Sequence, residues 1–368
     1  MTTLSFAARL QHAVLSVAAC DGSGLDLTAL PGQPPPFGQC SDPLASPGQR
    51  VLIVGATGNT LFGVALKVGA EGSILVIEAD QTAIAQAQQH EQKLAQHLGY
   101  CNWRYACTDL HDLRTDPATL ARFLADSPVT DRQSYQALLA ALETQRTQAP
   151  LVPEASIDLV ILDLSINRLP IAQGRTLLAE AFRVLRRGGR LYASVLLADE
   201  PPPAPLPAFN GLALSSVPLE TEIMALLEEA GYYGLGYTWR AALPLKVVEG
   251  VELRAFVVEA YKGKQGLCLD QGHAVIYRGP WKEVLDDDGH RYVRGERVAV
   301  CAKTYALLQR APYQEQFFGI PAYLEVPEAQ APLFDCTTPH LRAPAVTKGR
   351  QSIFEAQCGC SPAAKGCC

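Results

Sequence analysis

Residues 51–80, with the sequence VLIVGATGNTLFGVALKVGAEGSILVIEAD, constrain the fold of this chain more than any other stretch. An apolar run ends at Gly55, a helix-compatible segment follows, and a second apolar run ends in an acid, Glu78. This order of strand, glycine turn, helix, strand and acid is typical of a βαβ nucleotide-binding unit. The sequence therefore predicts a parallel sheet that binds an adenosine-type ligand beside the glycine turn.

The residue types at this turn suit such a ligand. Gly55 and Gly58 let the backbone turn sharply and approach a ligand closely, and the following helix offers free N–H groups at its start. Glu78 follows the second strand, where an acid can accept hydrogen bonds from both ribose hydroxyls. Two plainer interpretations stay open: a glycine turn that serves only helix packing, and a surface acid at Glu78.

Composition limits the classes of partner. A chain of 368 residues that is 48% hydrophobic has room for one large and one smaller domain. A net charge of -6 argues against a nucleic-acid or anionic membrane partner and favours small-molecule chemistry. We expect a cytoplasmic protein, because the sequence shows neither a bilayer-spanning apolar run nor a signal layout. Eleven cysteines, an odd number, favour reduced thiols, some of which bind a soft ion.

Two further segments carry candidate site residues. A predicted helix over 4–19 leads into a loop rich in Gly, Pro and Ser that contains Cys20 and Cys40 just before the first strand. This loop can fold over the ligand site, although two ordinary thiols are the plainer interpretation. The third predicted strand ends at Asp109, which could accept a hydrogen bond from an adenine amino group or simply cap the next helix.

The segment 157–197 supplies the first resemblance to a known family. It predicts a strand, an amphipathic helix over 172–187 that Gly188 and Gly189 end, and a strand LYASV. This order is similar to the late part of the class I S-adenosylmethionine-dependent methyltransferase core. A nicotinamide-dependent reductase is disfavoured, because Leu61 replaces its third glycine and no Tyr-x-x-x-Lys pair occurs in the chain.

The region after residue 263 indicates a more specific family within these methyltransferases. Residues 274–321, which contain a Lys-Thr-Tyr-Ala helix and a Phe-Phe pair, resemble the C-terminal domain of arsenite methyltransferases, as does the cysteine-rich tail. The implied fold class is α/β: a Rossmann-like, doubly wound, mostly parallel seven-stranded sheet with a small C-terminal α+β domain. The implied domains are an N-terminal helix and loop, the methyltransferase domain, the small domain and the tail, at residues 1–47, 48–262, 263–345 and 346–368.

The resemblance to arsenite methyltransferases also implies a chemistry. Thiolates hold trivalent arsenic while its lone pair attacks the methyl group of S-adenosyl-L-methionine. The implied partners are a metalloid or other small-molecule substrate and a thiol reductant. The family's cofactor residues fall on Gly55, Gly58 and Glu78, with Asp109 as a further candidate, and one family cysteine, with a catalytic role, matches Cys40. The tail cysteines are candidate ligands for a soft ion because close thiolate pairs bind such ions; they are Cys358, Cys360, Cys367 and Cys368.

The chain also departs from the family pattern. Ile53 stands where the family has an acid that helps hold the cofactor, and the glycine turn is one residue short. Two family cysteines align near Leu164 or Ser165 and near Ala213, so neither is a thiol here.

Three functions therefore stay open: a divergent arsenite methyltransferase, a noncatalytic protein whose tail sequesters a soft ion such as arsenite, zinc or copper(I), and a methyltransferase for another small acceptor. A tail that is merely a solvated end is a further alternative.

Overall fold

The computed structural model describes residues 45–55, 59–204, 206, 214–337 and 341–353. The chain divides into two compact units, with the boundary between Lys262 and Gly263. Within the described residues, no helix combines the length and apolar character needed to cross a bilayer.

The first unit is built on one twisted sheet. Its five parallel strands come first along the chain; at one edge β8 pairs antiparallel with β5, and β6 pairs antiparallel with β8. The spatial order is β3-β2-β1-β4-β5-β8-β6, and the short β7 pairs with β8, which adds one strand to the seven expected. The strands are β1 Arg50–Val54, β2 Ser73–Glu78, β3 Trp103–Cys107, β4 Ile157–Asp163, β5 Leu185–Ala198, β6 Tyr233–Arg240, β7 Lys246–Val248 and β8 Val251–Tyr261.

Helices cover both faces of this sheet, as expected for a doubly wound fold. Leu52 and Val54 of β1 point into one buried apolar cluster, whereas Val51 and Ile53 point into a second cluster on the opposite face. Strands buried on both faces are continuous apolar runs, which is why they were recognisable in the sequence. The helices are α1 Asn59–Val68, α2 Gln81–Leu98, α3 Pro117–Asp126, α4 Arg132–Gln148, α5 Ser165–Arg168, α6 Ile171–Val184 and α7 Glu220–Glu229.

The boundary predicted between the amphipathic helix and the strand after it is wrong, and β3 ends at Cys107 rather than at Asp109. The amphipathic helix ends at Val184, before the two glycines, and β5 begins at Leu185 rather than near Leu191. Leu185 is fully buried and pairs with Ile157 of β4, and the Gly188 N–H donates to the Lys262 carbonyl at 2.7 Å. These long-range pairings outweigh the local helical pattern of the segment.

The second unit is a small α+β structure, as the fold class expects. Strands β12, β9 and β13 form an antiparallel sheet in that order, and β10 and β11 form a separate hairpin. Tyr277, Tyr292 and Phe317 meet in its apolar core. The elements are β9 Ala274–Tyr277, β10 Glu283–Leu285, β11 Arg291–Val293, β12 Arg297–Ala299, α8 Ala302–Leu308, β13 Phe317–Ile320, a 3₁₀ turn Glu328–Gln330 and α9 Pro344–Thr347.

Candidate functional site

The strand order of the first unit reverses between β1 and β4. In an open parallel sheet, ligands bind beyond the carboxyl ends of the strands at such a switch point. Gly55 follows β1 there, and Asp163 ends β4. The fold therefore places the predicted glycine turn at the edge of the sheet where a ligand is expected.

Gly55 is required at this turn. Its φ of 79° lies in the left-handed region, and its N–H donates to the Ile77 carbonyl at 2.9 Å. A Cβ at this position would lie 2.9 Å from the carbonyl oxygen of Asp163 and 3.3 Å from Nη1 of Arg168. The missing side chain thus keeps β1, β4 and the Arg168 guanidinium close together.

Glu78 ends β2 at the same edge, and its side chain is almost fully buried. One carboxylate oxygen accepts hydrogen bonds from the backbone N–H groups of Ala79 and Asp80, at 2.8 and 3.1 Å. Arg168 binds both oxygens, with Nη1 to Oε2 at 2.8 Å and Nη2 to Oε1 at 2.6 Å. The acid expected to hold ribose hydroxyls is therefore paired with a cation from its own chain.

Hydrogen bonds between distant parts of the chain hold the segment of Arg168 in place. Arg168 ends α5, which begins after Leu164 adopts a left-handed φ of 54°. Ser165 Oγ donates to the Val54 carbonyl at 2.8 Å, and the buried Asp163 accepts from Thr60 Oγ1 at 2.9 Å. The hydrogen bonds to Glu78 raise the pKa of Arg168 further above its usual value. Sequence reasoning missed Asp163 and Arg168, although the acid at the end of the fourth apolar run was a usable signal.

The other first-unit candidates are placed as follows. Asp109 is exposed two residues beyond β3, and its carbonyl accepts from the Asp112 N–H at 2.9 Å. Its contact with adenine stays a prediction. Ile53 is fully buried with Leu61 and Val64 beneath α1, so an acid at this position would lie in an apolar layer.

Six of the predicted residues lie outside the described part of the chain. They are Gly58, Cys40 and the four tail cysteines, Cys358, Cys360, Cys367 and Cys368. The predicted helix over 4–19 lies there too.

A cluster of three thiols in the second unit was not predicted. The sulfur atoms of Cys268, Cys301 and Cys336 all lie within 4.8 Å of one another. Cys301 is buried, and the other two are partly exposed. The three residues are far apart in the sequence and share no spacing motif, so only the fold reveals the cluster.

Backbone hydrogen bonds bring the three cysteine segments together. The Phe334 N–H donates to the Cys268 carbonyl, and the Asp270 N–H donates to the Pro332 carbonyl, both at 2.8 Å. On the other side, the Ala302 N–H donates to the Leu269 carbonyl at 2.8 Å. The segment that carries Cys268 is thus held between those that carry Cys336 and Cys301.

The thiols differ in acidity. Burial alone would raise the pKa of Cys268, but hydrogen bonds from Cys336 and Lys303 and the Lys303 charge lower that pKa below its usual value. Burial, together with a hydrogen bond to Cys268, raises the pKa of Cys336 to about 12. Cys268 therefore ionises more readily than Cys336, which lies in hydrogen-bond contact with it.

Polar neighbours support the thiol cluster. Cys301 Sγ accepts from the Thr304 N–H at 3.4 Å. His290 Nδ1 lies 2.8 Å from Oδ2 of Asp286, and the imidazole also bonds the backbone of Cys336. The bond to Asp286 raises the pKa of His290. Cys301 and Cys336 line a cavity that His290 and Thr304 also border.

Comparison with known proteins gives matches for both units. A domain of unknown function, DUF8838, matches residues 264–352, which include all three clustered cysteines. The chain is 24% identical over 286 residues to an arsenite methyltransferase of Aquipseudomonas alcaligenes, across 73% of this chain and 72% of that protein.

The structural matches are more distant. An arsenic(III) S-adenosylmethionine methyltransferase from Chlamydomonas reinhardtii has a TM-score of 0.49 at 18% identity and covers 90% of this chain and 98% of that one. A methyltransferase from Aquifex aeolicus scores 0.35 at 18% identity, over 58% and 82%. The chain is thus similar in sequence to an arsenite methyltransferase, and its first unit is a Rossmann-like sheet.

Proposed function

We propose that the chain is an S-adenosyl-L-methionine-dependent methyltransferase that transfers a methyl group to trivalent arsenic held by thiolates. The observation that carries this proposal is the switch point, where the Gly55 turn and the Glu78 carboxylate lie at the carboxyl ends of adjacent strands. The similarity to an arsenite methyltransferase supports the choice of reaction.

The residues present fit the cofactor in two respects. Gly55 holds a left-handed backbone turn at the carboxyl end of β1, the kind of turn with which a glycine lets the backbone approach a ligand. Glu78 is a carboxylate at the end of β2, suited to accept hydrogen bonds from two ribose hydroxyls. When bound, the cofactor supplies an electrophilic methyl group on sulfur.

Arg168 sets a condition on this fit. Arg168 bonds both oxygens of Glu78, and Oε1 also accepts two backbone N–H groups, so two ribose hydroxyls can bond both oxygens only when the guanidinium moves. The thiolates that hold the acceptor need reducing conditions, which agrees with a cytoplasmic location and a thiol reductant as partner.

A second candidate function is a catalytically degenerate protein that binds a soft ion on a methyltransferase scaffold. The Glu78–Arg168 pair favours it, since a permanent pair would close the ribose site. The apolar burial of Ile53 and the three clustered thiols of the second unit favour it as well.

One experiment separates the two functions. The full chain is incubated with methyl-labelled S-adenosylmethionine, arsenite and a thiol reductant, and labelled methylarsenic products are measured. Glu78→Gln should lower transfer at subsaturating cofactor at least about tenfold, because charge-assisted hydrogen bonds contribute roughly 1.5–3 kcal/mol.

The matched control is Glu71→Gln, an exposed acid just before the start of the same strand, which should leave transfer unchanged. A full chain that neither binds the cofactor nor transfers methyl groups would rule out the enzyme and leave the soft-ion protein.

A further inference from the structure

We propose that Cys268, Cys301 and Cys336 form a binding site for a three-coordinate thiophilic ion, and that the site fits trivalent arsenic. The inference does not rest on methyl transfer, since three thiolates bind such an ion whether or not a methyl group is moved.

The distances are those of a nearly formed site. A metal–sulfur bond is about 2.3 Å long, so sulfurs around one ion lie roughly 3.5–4 Å apart. The three sulfurs lie within 4.8 Å of one another without an ion. Side-chain rotations that move the sulfurs by a few tenths of an ångström to about 1 Å would therefore bring them to bonding distance of one ion.

The backbone holds the site in advance. The hydrogen bonds from Phe334, Asp270 and Ala302 fix the three cysteine segments side by side, so little chain entropy is lost on binding. The buried ion pair between Arg342 and Asp270, at 2.7 Å, anchors the Cys268 segment from its other end.

The number of ligands selects the ion. Zinc prefers four ligands in a tetrahedron. Within the described residues, the cluster contains three thiols and no carboxylate or imidazole. His290 lies nearby, but its ring bonds Asp286 and the backbone of Cys336. A soft trivalent ion that forms three bonds and keeps a lone pair matches this set.

Binding is a balanced exchange that needs no oxidant or reductant. Arsenous acid carries three hydroxyl groups. Each thiol forms one As–S bond while one As–O bond breaks, and the thiol proton leaves with the hydroxyl as water. Three waters are released, and arsenic stays trivalent. Partial exposure of Cys268 and Cys336 gives the acid access to the first two sulfurs.

The test must separate this cluster from the tail thiols. We would use the full-length chain with Cys358, Cys360, Cys367 and Cys368 replaced by Ser, kept reduced and free of S-adenosylmethionine. Arsenite affinity is measured by calorimetry and the arsenic coordination by X-ray absorption. The expected result is one tight site with three sulfur ligands.

Single substitutions then assign the sulfurs. Cys268→Ser and Cys336→Ser should each weaken arsenite binding at least about tenfold and reduce the sulfur count to two. Cys101→Ser and Cys107→Ser, which remove thiols of the first unit, are the matched controls and should change neither quantity. Unchanged affinity in both cluster variants would overturn the proposal, as would loss of the three-sulfur signal on tail substitution alone.

A second measurement uses the chain with all three clustered cysteines intact, so misfolding of a variant cannot explain its result. Arsenite should slow maleimide labelling of Cys268, Cys301 and Cys336 together, as read by peptide mass spectrometry, and leave Cys101 unprotected. Equal labelling with and without arsenite would contradict the site. A zinc ion bound more tightly than arsenite, with four ligands, would overturn the choice of ion. Binding without any methyl transfer would sustain this inference while the proposed function fails.

Discussion

Arg168 determines how far Glu78 is available to a ligand at the proposed cofactor site. It forms a bidentate pair with Glu78 at the switch point, with 21% of the Arg168 side chain and 4% of the Glu78 side chain exposed. A paired carboxylate cannot also serve two hydroxyls at full strength, so the arginine and the ribose compete for the same oxygens. If the proposed site binds the cofactor, the free energy needed to displace Arg168 is subtracted from the binding free energy.

The first prediction is that Arg168→Gln tightens the binding of S-adenosylhomocysteine. The wild-type chain must break the ion pair before Glu78 is free, whereas the variant does not, so affinity should rise on the order of tenfold, about 1.4 kcal/mol. Isothermal calorimetry measures the change. The control is Arg175→Gln on α6. It removes the exposed ion pair with Glu229 of α7 and should have no effect on this affinity.

The opposite result would be informative. Weaker binding in Arg168→Gln, with an unchanged melting temperature, would mean that Arg168 itself contacts the cofactor. A large loss of stability would mean that the buried Glu78 carboxylate depends on its pairing with the Arg168 guanidinium.

The second prediction concerns Gly55. Gly55→Ala should lower the free energy of unfolding by roughly 1–3 kcal/mol, because a Cβ is disfavoured at φ 79° and meets the Asp163 carbonyl at 2.9 Å. Denaturant titration measures this loss. Gly236→Ala, where an added Cβ meets nothing within 4 Å, should change stability far less. Equal effects of the two substitutions would remove the special role of Gly55.

At the scale of elements, local patterns predicted the first unit well. The run from β1 through α1 to β2 was recognisable because each strand is a continuous apolar stretch and the turn needs glycine. The end of α6 was mispredicted because pairing of Leu185 with Ile157 overrides the helical pattern. Local periodicity carries no information about such distant partners.

The same limit explains the missed site residues. Glu78 and Arg168 are 90 positions apart, and the clustered cysteines come from three separate segments. Ion binding was predicted for the tail because its cysteines are close together in sequence. Closeness in the fold depends instead on backbone pairing between distant segments. No sequence pattern distinguishes Cys268, Cys301 and Cys336. The pairing of Leu269 with Leu333 helps to bring the segments of Cys268 and Cys336 together.

The third prediction concerns the ion pair that joins two segments of the second unit. Arg342 and Asp270 are 5% and 2% exposed, and the Arg342 Nε also donates to the His273 carbonyl at 3.2 Å. Arg342→Met leaves a buried carboxylate without its cation, so stability should fall by about 3–5 kcal/mol. Denaturant unfolding measures the loss. The exposed pair of Arg291 with Glu283 is the control, and Arg291→Gln should leave the midpoint nearly unchanged.

At the scale of the whole molecule, the two units offer different chemistry. The first presents a glycine turn and a carboxylate, which suit an adenosine-type ligand. The second presents soft sulfur ligands, which suit a thiophilic ion. A ligand that binds only the native state stabilises the segments it contacts. Each ligand should therefore leave its own pattern of protection along the chain.

The last prediction is that two ligands protect separate sets of backbone amides from hydrogen exchange in the full chain. At a free concentration of 100 times its Kd, a ligand adds about 2.7 kcal/mol to the stability of the form that it binds. S-adenosylhomocysteine should slow exchange near Gly55 and Glu78, and arsenite should slow it at residues 268–270, 301–304 and 334–336. Glu78→Gln should weaken the first pattern only, and Cys336→Ser the second only. Arsenite protection that appeared at the Gly55 turn and spared all three cysteine segments would contradict the assignment, because the ion would then bind in the first unit.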